Sequence, residues 1–313
     1  VAGTASVIRD VEVRNTTAGA GVYVHRAASR GNELHGMHVH SCYYGLFFEH
    51  GLADRPGNIF DGGVVEHIEC DAVTFAGYGE FLRSVVRHSG ASCGREGAAA
   101  PGAGIYCSGN VVGGHIAESV VHDTCGRCLD VDACANFNVS LNRFSDPGAA
   151  TGGGGAACAG AIAVALLDAQ DFLFEGNVVT NNRGSNMIGN MALSDVDAAF
   201  RDIGARGSPF SDLPAGPRSV LALAVLRRPR PGALPSVRHA FIGNRLLASC
   251  SDQVAGCVGV GYFAGRGTGL DETQFDRWQF EFRPSTYVAN NATGSDVASR
   301  RCGANRYAAD AAD

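Results

Sequence analysis

The residues with the clearest chemical potential lie in "CLDVDACANFN" (128–138), where Asp130 and Asp132 stand two apart inside an apolar, cysteine-flanked run. On an extended strand such carboxylates share one face, roughly 6.5–7 Å apart at their Cα atoms. That is near the lower edge of the spacing with which an inverting glycosidase fits a water between acid and base. The competing reading, solvated surface groups or a weak Ca2+ site, the one cofactor these residues suggest, is favoured because carboxylates are exposed by default. A second set is basic: His40, His67, His88 and His122, with Arg87 and Asp123 beside them. Histidine and arginine, His122 and Arg87 above all, could abstract a proton α to a uronic carboxylate, as a lyase or epimerase requires. The phase of these histidines drifts by one residue, so a turn-lining role competes with catalysis and no converging metal set is implied.

Composition narrows the chemistry. All 25 basic residues are arginine, which excludes every mechanism needing a lysine base, Schiff-base amine or phosphate clamp from this chain. The net charge of −6 is spread without long blocks and offers no footprint for nucleic acid or an anionic membrane surface. Eleven cysteines suit an oxidising compartment, and sequons at Asn15, Asn138 and Asn291 agree with an extracellular or cell-surface glycoprotein. Local disulfides are expected from Cys93 to Cys107 and from Cys250 to Cys257. Cys125-Gly-Arg-Cys128 lacks the second ligand pair of a zinc site and the βαβ context of a redox dithiol, so these cysteines read as structural. No apolar run reaches the roughly 20 residues of a membrane span. The N-terminus "VAGTASVIRD" lacks the regions of a signal peptide, and a mature chain or a segment of a larger secreted protein is expected.

The elements that must position these residues come from a repeat. An eight-residue pattern, apolar-x-x-(Asn/Ser/small)-x-apolar-x-x, recurs from Ile8, Leu34, Phe60, Phe81, Ile116, Val139, Phe174, Phe241 and Tyr287. Most copies precede a second short strand with period-two alternation, in which Val22/Val24, Leu46/Phe48, Val73/Phe75, Ile105/Cys107, Leu129/Val131, Ile162/Val164 and Val258/Val260 would share the core face. Asn142, Asn177, Asn244 and Asn290 fall at one repeat position, where stacked amides can satisfy the backbone of a turn. Coils of about 22 residues with two or three short strands are the signature of a parallel β-helix. About nine or more coils are expected in one domain over 1–313, with excursions at about 94–104, 146–160, 182–236 and 264–286.

These repeats resemble those of right-handed parallel β-helix proteins of the pectin-lyase-like superfamily, over nearly the whole chain. A narrower likeness lies in 38–63, where Gly45, Phe47, Phe48, Glu49, Gly51, Asn58 and Phe60 are similar to a segment of fibrocystin-like proteins and cell-surface hyaluronidases, with His50 in place of an acidic residue. The resemblance implies an all-β, single-stranded, right-handed parallel β-helix. It leaves function open, because the superfamily hosts lyases, glycosidases, epimerases, phage adhesins and non-enzymatic surface proteins.

On such a coil the residues alternating with the core face outward. Tyr23, His25, Phe47, Glu49, Thr74, Tyr106, Asp130 and Asp132 then form a stripe of aromatic and acidic groups at a coil spacing of about 4.8 Å, suited to carbohydrate. The Asp-Pro-His, Asn-Thr-Asp, Gly-His-Gly and Arg-Ile-Lys signatures of the superfamily's enzymes are missing. That favours an extracellular structural or binding module contacting glycans or other protein chains. The alternative is a polysaccharide-processing enzyme: a hydrolase using Asp130 and Asp132, or a lyase or epimerase using His122 and Arg87.

Overall fold

The computed structural model describes residues 5–25, 30–49, 57–91, 93, 102–107, 111–132, 134–145, 163–167, 169 and 171–181, residue 244, and strand segments beyond 181. Among the described residues every strand pairing is parallel, and the strands fall into three sheets. The first runs Val7–Arg9, Glu33–His35, Asn58–Asp61, Gly79–Leu82, Val112–Ala117, Ala135–Ser140, Leu173–Glu175, Ala240–Ile242, Gln274–Asp276. The second begins with Glu12–Arg14, His38–His40 and Val64–Ile68, and the third with Ala20–Val24, Tyr44–Glu49 and Val73–Ala76. Each coil visits the three sheets in turn, so the chain is an all-β, right-handed parallel β-helix. No helix among the described residues is long and apolar enough to cross a membrane.

The eight-residue pattern spans one corner to the next. Its third position takes a positive φ at Asp10, Gly36, Gly62, Arg83, Glu118, Leu141 and Gly176. Its eighth does so at Asn15, Ser41, His67, His88 and Asp123. Non-glycine residues pay about 1 kcal/mol for this conformation, least where a short polar side chain bonds locally. The fourth position turns inward: Ser84, Ser119, Asn142, Asn177 and Asn244 are buried. Each donates or accepts along the helix axis, with Asn142 N–H to Asn177 Oδ1 at 2.9 Å and Asn177 N–H to Asn244 Oδ1 at 2.9 Å. The Nδ2 groups of Asn142, Asn177 and Asn244 donate to the carbonyls of Ile116, Val139 and Phe174. The amide ladder expected at this position is present, and Asn290 lies outside the described residues.

The core is the stack of the remaining inward positions. Val22, Val24, Leu46, Phe48, Val73, Phe75, Ile105, Cys107, Leu129, Val131 and Val164 are all buried. Equivalent aromatics stack coil on coil, Phe60 on Phe81 at 5.5 Å and Phe48 on Phe75 at 5.1 Å between ring centroids. Gly45 is required by this packing, since a Cβ there would stand 2.3 Å from the Ala72 carbonyl oxygen and 2.5 Å from Val65.

Several expectations are corrected. Cys93 bonds to Cys70, and Cys107 to Cys134, instead of to each other; the partners are a coil apart in space, which sequence spacing does not reveal. Cys125 is also disulfide-bonded, whereas Cys128 is a buried thiol that donates to the Ser145 carbonyl. The side chains of Cys250 and Cys257 lie outside the described residues. Ala103 belongs to the wall rather than to an excursion, its carbonyl accepting from Ala72 N–H at 3.1 Å. Val164 pairs with Leu129 and Leu166 with Val131, a shift of two from the expected Ile162/Val164 pair. Met187–Gly189 and Leu223–Leu226, inside the excursion expected at 182–236, extend the third sheet. The ninth coil uses Gln274–Asp276 and Gln279–Pro284 from the stretch expected to be an excursion, where Phe275 pairs with Phe241; Tyr287 lies outside the described residues.

Candidate functional site

The outward face of the third sheet carries the aromatic and acidic stripe. Parallel register aligns Tyr23, Phe47, Thr74, Tyr106 and Asp130 in one column. At the N-terminal end, Tyr23 stacks on His25 at 5.2 Å with 25° between planes and meets Phe47 at 5.2 Å. Glu49 closes the group, accepting from Tyr23 and pairing with Nδ1 of His25. Burial and the hydrogen bond to Glu49 push the Tyr23 phenol up to about 12, so it stays a neutral donor. Tyr23 is 37% exposed, and an open ring with a fixed carboxylate beside it offers both an apolar face and an acceptor.

Further along, Asp130 forms an ion pair with Arg127. Its neighbour in charge is Asp71, which occupies the corner before the sheet and accepts from the Ala103 N–H at 2.7 Å. Burial pushes the Asp71 carboxyl up to about 6, the Ala103 N–H works against this, and the negative charge of Asp130 adds to it. Asp71 and Asp130 thus form a pair with unlike environments, one enclosed and ready to hold a proton, the other countered by a guanidinium. Asp132 follows in the same strand, with its side chain outside the described residues. The Asp130/Asp132 pairing read from sequence overlooks Asp71 and Arg127, because a corner residue shows no strand alternation and Asp71 lies 59 positions from Asp130 in the chain.

Among the described residues a single trio of ligand-bearing side chains converges, Cys70, Asp71 and Cys93. Its two cysteines are joined as a disulfide, so no thiolate remains to bind a soft metal, and one carboxylate falls short of the oxygen cage that Ca2+ takes.

The histidines lie on the second sheet. His40 and His122 face outward in the column Arg14, His40, Glu66, Arg87, His122. His67 and His88 occupy the left-handed corner one residue later, which is the physical origin of the one-residue drift. His38, not singled out in the sequence, joins them through His38 Nε2 to Glu66 Oε1 at 2.8 Å. Arg87 Nε donates to Glu66 Oε2 at 2.6 Å. Burial pushes the Glu66 carboxyl up, but the bonds from Arg87 and His38 outweigh it and hold it below its ordinary value. Arg87 is therefore engaged with Glu66 and His122 with Asp123, at 2.6 Å.

Of the sequons, Asn15 stands exposed at a corner, whereas Asn138 is in a central strand of the first sheet with its Oδ1 enclosed. Asn291 lies outside the described residues.

Fold and stripe together define a parallel β-helix with an aromatic and acidic outer wall. No protein-family model and no curated protein matches the chain. Among solved structures, it is similar to the enzymatically active domain of bacteriophage CBA120 tailspike protein 2, at 10% identity and a TM-score of 0.50, over 97% of this chain and 38% of that one. It is also similar to full-length tailspike protein 2 from Escherichia coli O157:H7 bacteriophage CAB120, at 10% identity and a TM-score of 0.49, over 97% of this chain and 34% of that one. The chain therefore spans little more than a third of the structures it matches, and the likeness lies in the fold.

Proposed function

We propose that this chain is an extracellular glycan-binding β-helix module whose platform is the outward face of the third sheet. The observation that carries the reading is the cluster of Tyr23, His25 and Phe47 with Glu49 fixed beside it. The C–H face of a pyranose packs on an open ring, while a carboxylate accepts charge-assisted hydrogen bonds from its hydroxyls. Tyr23 and Phe47 stand on adjacent coils, 5.2 Å apart between ring centroids, so an extended saccharide can run along the column. The disulfides, Cys70–Cys93 and Cys107–Cys134 among them, support an oxidising, extracellular setting. Glycan-array binding followed by calorimetry tests this: Tyr23→Ala and Phe47→Ala should each weaken binding by about tenfold or more, at about 1.4 kcal/mol per decade. Unchanged affinity in both variants would sink the platform.

One observation favours a second, catalytic reading, the unlike pair Asp71 and Asp130. Carboxyls whose environments push them apart are how one site holds an acid and a base together. The tailspike domain similar in fold is named as enzymatically active. In this reading Asp71 is the proton donor and Asp130 the ionised partner. New reducing ends from an acidic or neutral polysaccharide, lost in both Asp71→Asn and Asp130→Asn, would establish hydrolysis. Silence across a broad panel by the folded chain would leave the binding reading alone.

A further inference from the structure

We infer that the outward face of the second sheet is a proton-gated binding strip for an extended acidic polysaccharide. This surface is separate from the third-sheet platform and does not rest on it. Five histidines meet here. His38 and His40 are 4.5 Å apart between ring centroids, His67 and His88 5.1 Å, and His88 and His122 6.3 Å. They run along successive coils, so the strip follows the helix axis at about 4.8 Å per step. Part of each ring pair is open, with 62% of the His67 side chain and 43% of the His38 side chain exposed.

The fixed charges around these rings are acidic on balance. Arg14, Arg87 and Arg143 face outward from the strands of this sheet. Against them stand Glu12, Glu66 and Asp123, bonded to His40, His38 and His122, and Glu69 two residues past the His67 corner. At the opposite edge are Asp10 and Glu118, and Arg83, which is tied to Asp61. With neutral imidazoles the face has no net cationic pull. Imidazole is the side-chain group that gains its charge on mild acidification, so a face lined by five such rings gains positive charge as pH falls. The face then becomes a row of cations with a carboxylate at intervals. Rings about 5 Å apart repel when both are charged, and anions lying between them relieve that repulsion.

An acidic polysaccharide is the occupant these features fit. Its uronate carboxylates, like other carboxylates, remain charged well below pH 6, so the gate opens while the ligand is still an anion. Between its imidazoles the strip presents valine at Val64, Val85 and Val120, and among the described residues it has no outward phenylalanine, tyrosine or tryptophan to add a stacking platform for bases.

Surface plasmon resonance of the whole chain over immobilised hyaluronan, and over single-stranded DNA, at about pH 5 and about pH 7.5 tests the inference. Binding to hyaluronan should be at least about tenfold tighter at the lower pH and weaken as salt is raised. The triple variant His67→Asn/His88→Asn/His122→Gln should reduce that ratio to below about threefold, asparagine being chosen because it tolerates the left-handed corner. His67→Asn alone, at the most exposed ring, serves if the triple variant does not fold, and should lower the ratio measurably. A ratio unchanged in these variants, or no binding at the lower pH, overturns the gate. DNA bound as tightly as hyaluronan overturns the polysaccharide assignment.

Discussion

The two corners that bound the second-sheet strand of each coil share a left-handed backbone conformation and differ in what their side chains do. At the first, the residue after the left-handed turn points inward, and Ser84, Ser119, Asn142, Asn177 and Asn244 form a buried hydrogen-bonded ladder. At the second, the turn residues themselves are polar, and His67, His88 and Asp123 lie at the surface beside the ionic network of the second sheet. The difference teaches where polar residues in a β-helix hold the fold and where they are available to a ligand. Enclosed amides satisfy backbone groups that have no water, and surface imidazoles have no such duty.

Breaking the inner corner should have the largest effect. Asn177→Leu removes the acceptor of Asn142 N–H and the donor to Val139 O, leaving buried backbone groups unpaired, and should cost about 3–4 kcal/mol in chemical denaturation. Asp71, enclosed next to the second corner, should give the next effect with opposite sign. Its raised value means the folded chain keeps a proton that the unfolded chain has released, so stability is full below about pH 4 and falls as pH rises through about 6. Asp71→Asn should therefore raise stability by roughly 2 kcal/mol near pH 8 and flatten the profile between about pH 4 and 6. A melt series over pH that stays sloped in the variant would show that another group titrates there.

On the second sheet Glu66 has the reverse linkage. Held below its ordinary value by Arg87 and His38, it contributes stability at neutral pH that is lost as pH falls through its lowered folded value. Glu66→Gln should cost about 1–2 kcal/mol at neutral pH and shrink that acid sensitivity. The smallest effect belongs to the outer corner itself: His67→Asn should change stability by less than about 0.5 kcal/mol at neutral pH, because its side chain is exposed and asparagine accepts the same φ. A loss comparable to that of Asn177→Leu would erase the contrast between the corners.

Much of the wall was legible in the chain because inward side chains repeat with every coil. Phe60 and Phe81, or Leu129 and Val131, announce a core by period alone, and the asparagine ladder announces a corner. What escaped was whatever depended on neighbours a coil away. Cys70 and Cys93 are 23 residues apart and Cys107 and Cys134 27 apart, yet local spacing pointed to Cys93 and Cys107. Asp71 showed no pattern, and only the stacking of coils sets it in the field of Asp130. Phe275 escaped because Trp278 stands where the eight-residue pattern takes asparagine, serine or a small residue, and only its pairing with Phe241 reveals the coil.

The sequence by itself determined the parallel coil, its inward residues, its outward aromatic and acidic column and its lack of lysine chemistry, since alternation and repeat period act over a few residues. The tertiary structure decided which cysteines join, which carboxylate is enclosed, and which histidines gather into one strip. Those outcomes depend on distances between coils, and a linear pattern carries no measure of what lies about 4.8 Å above or below it.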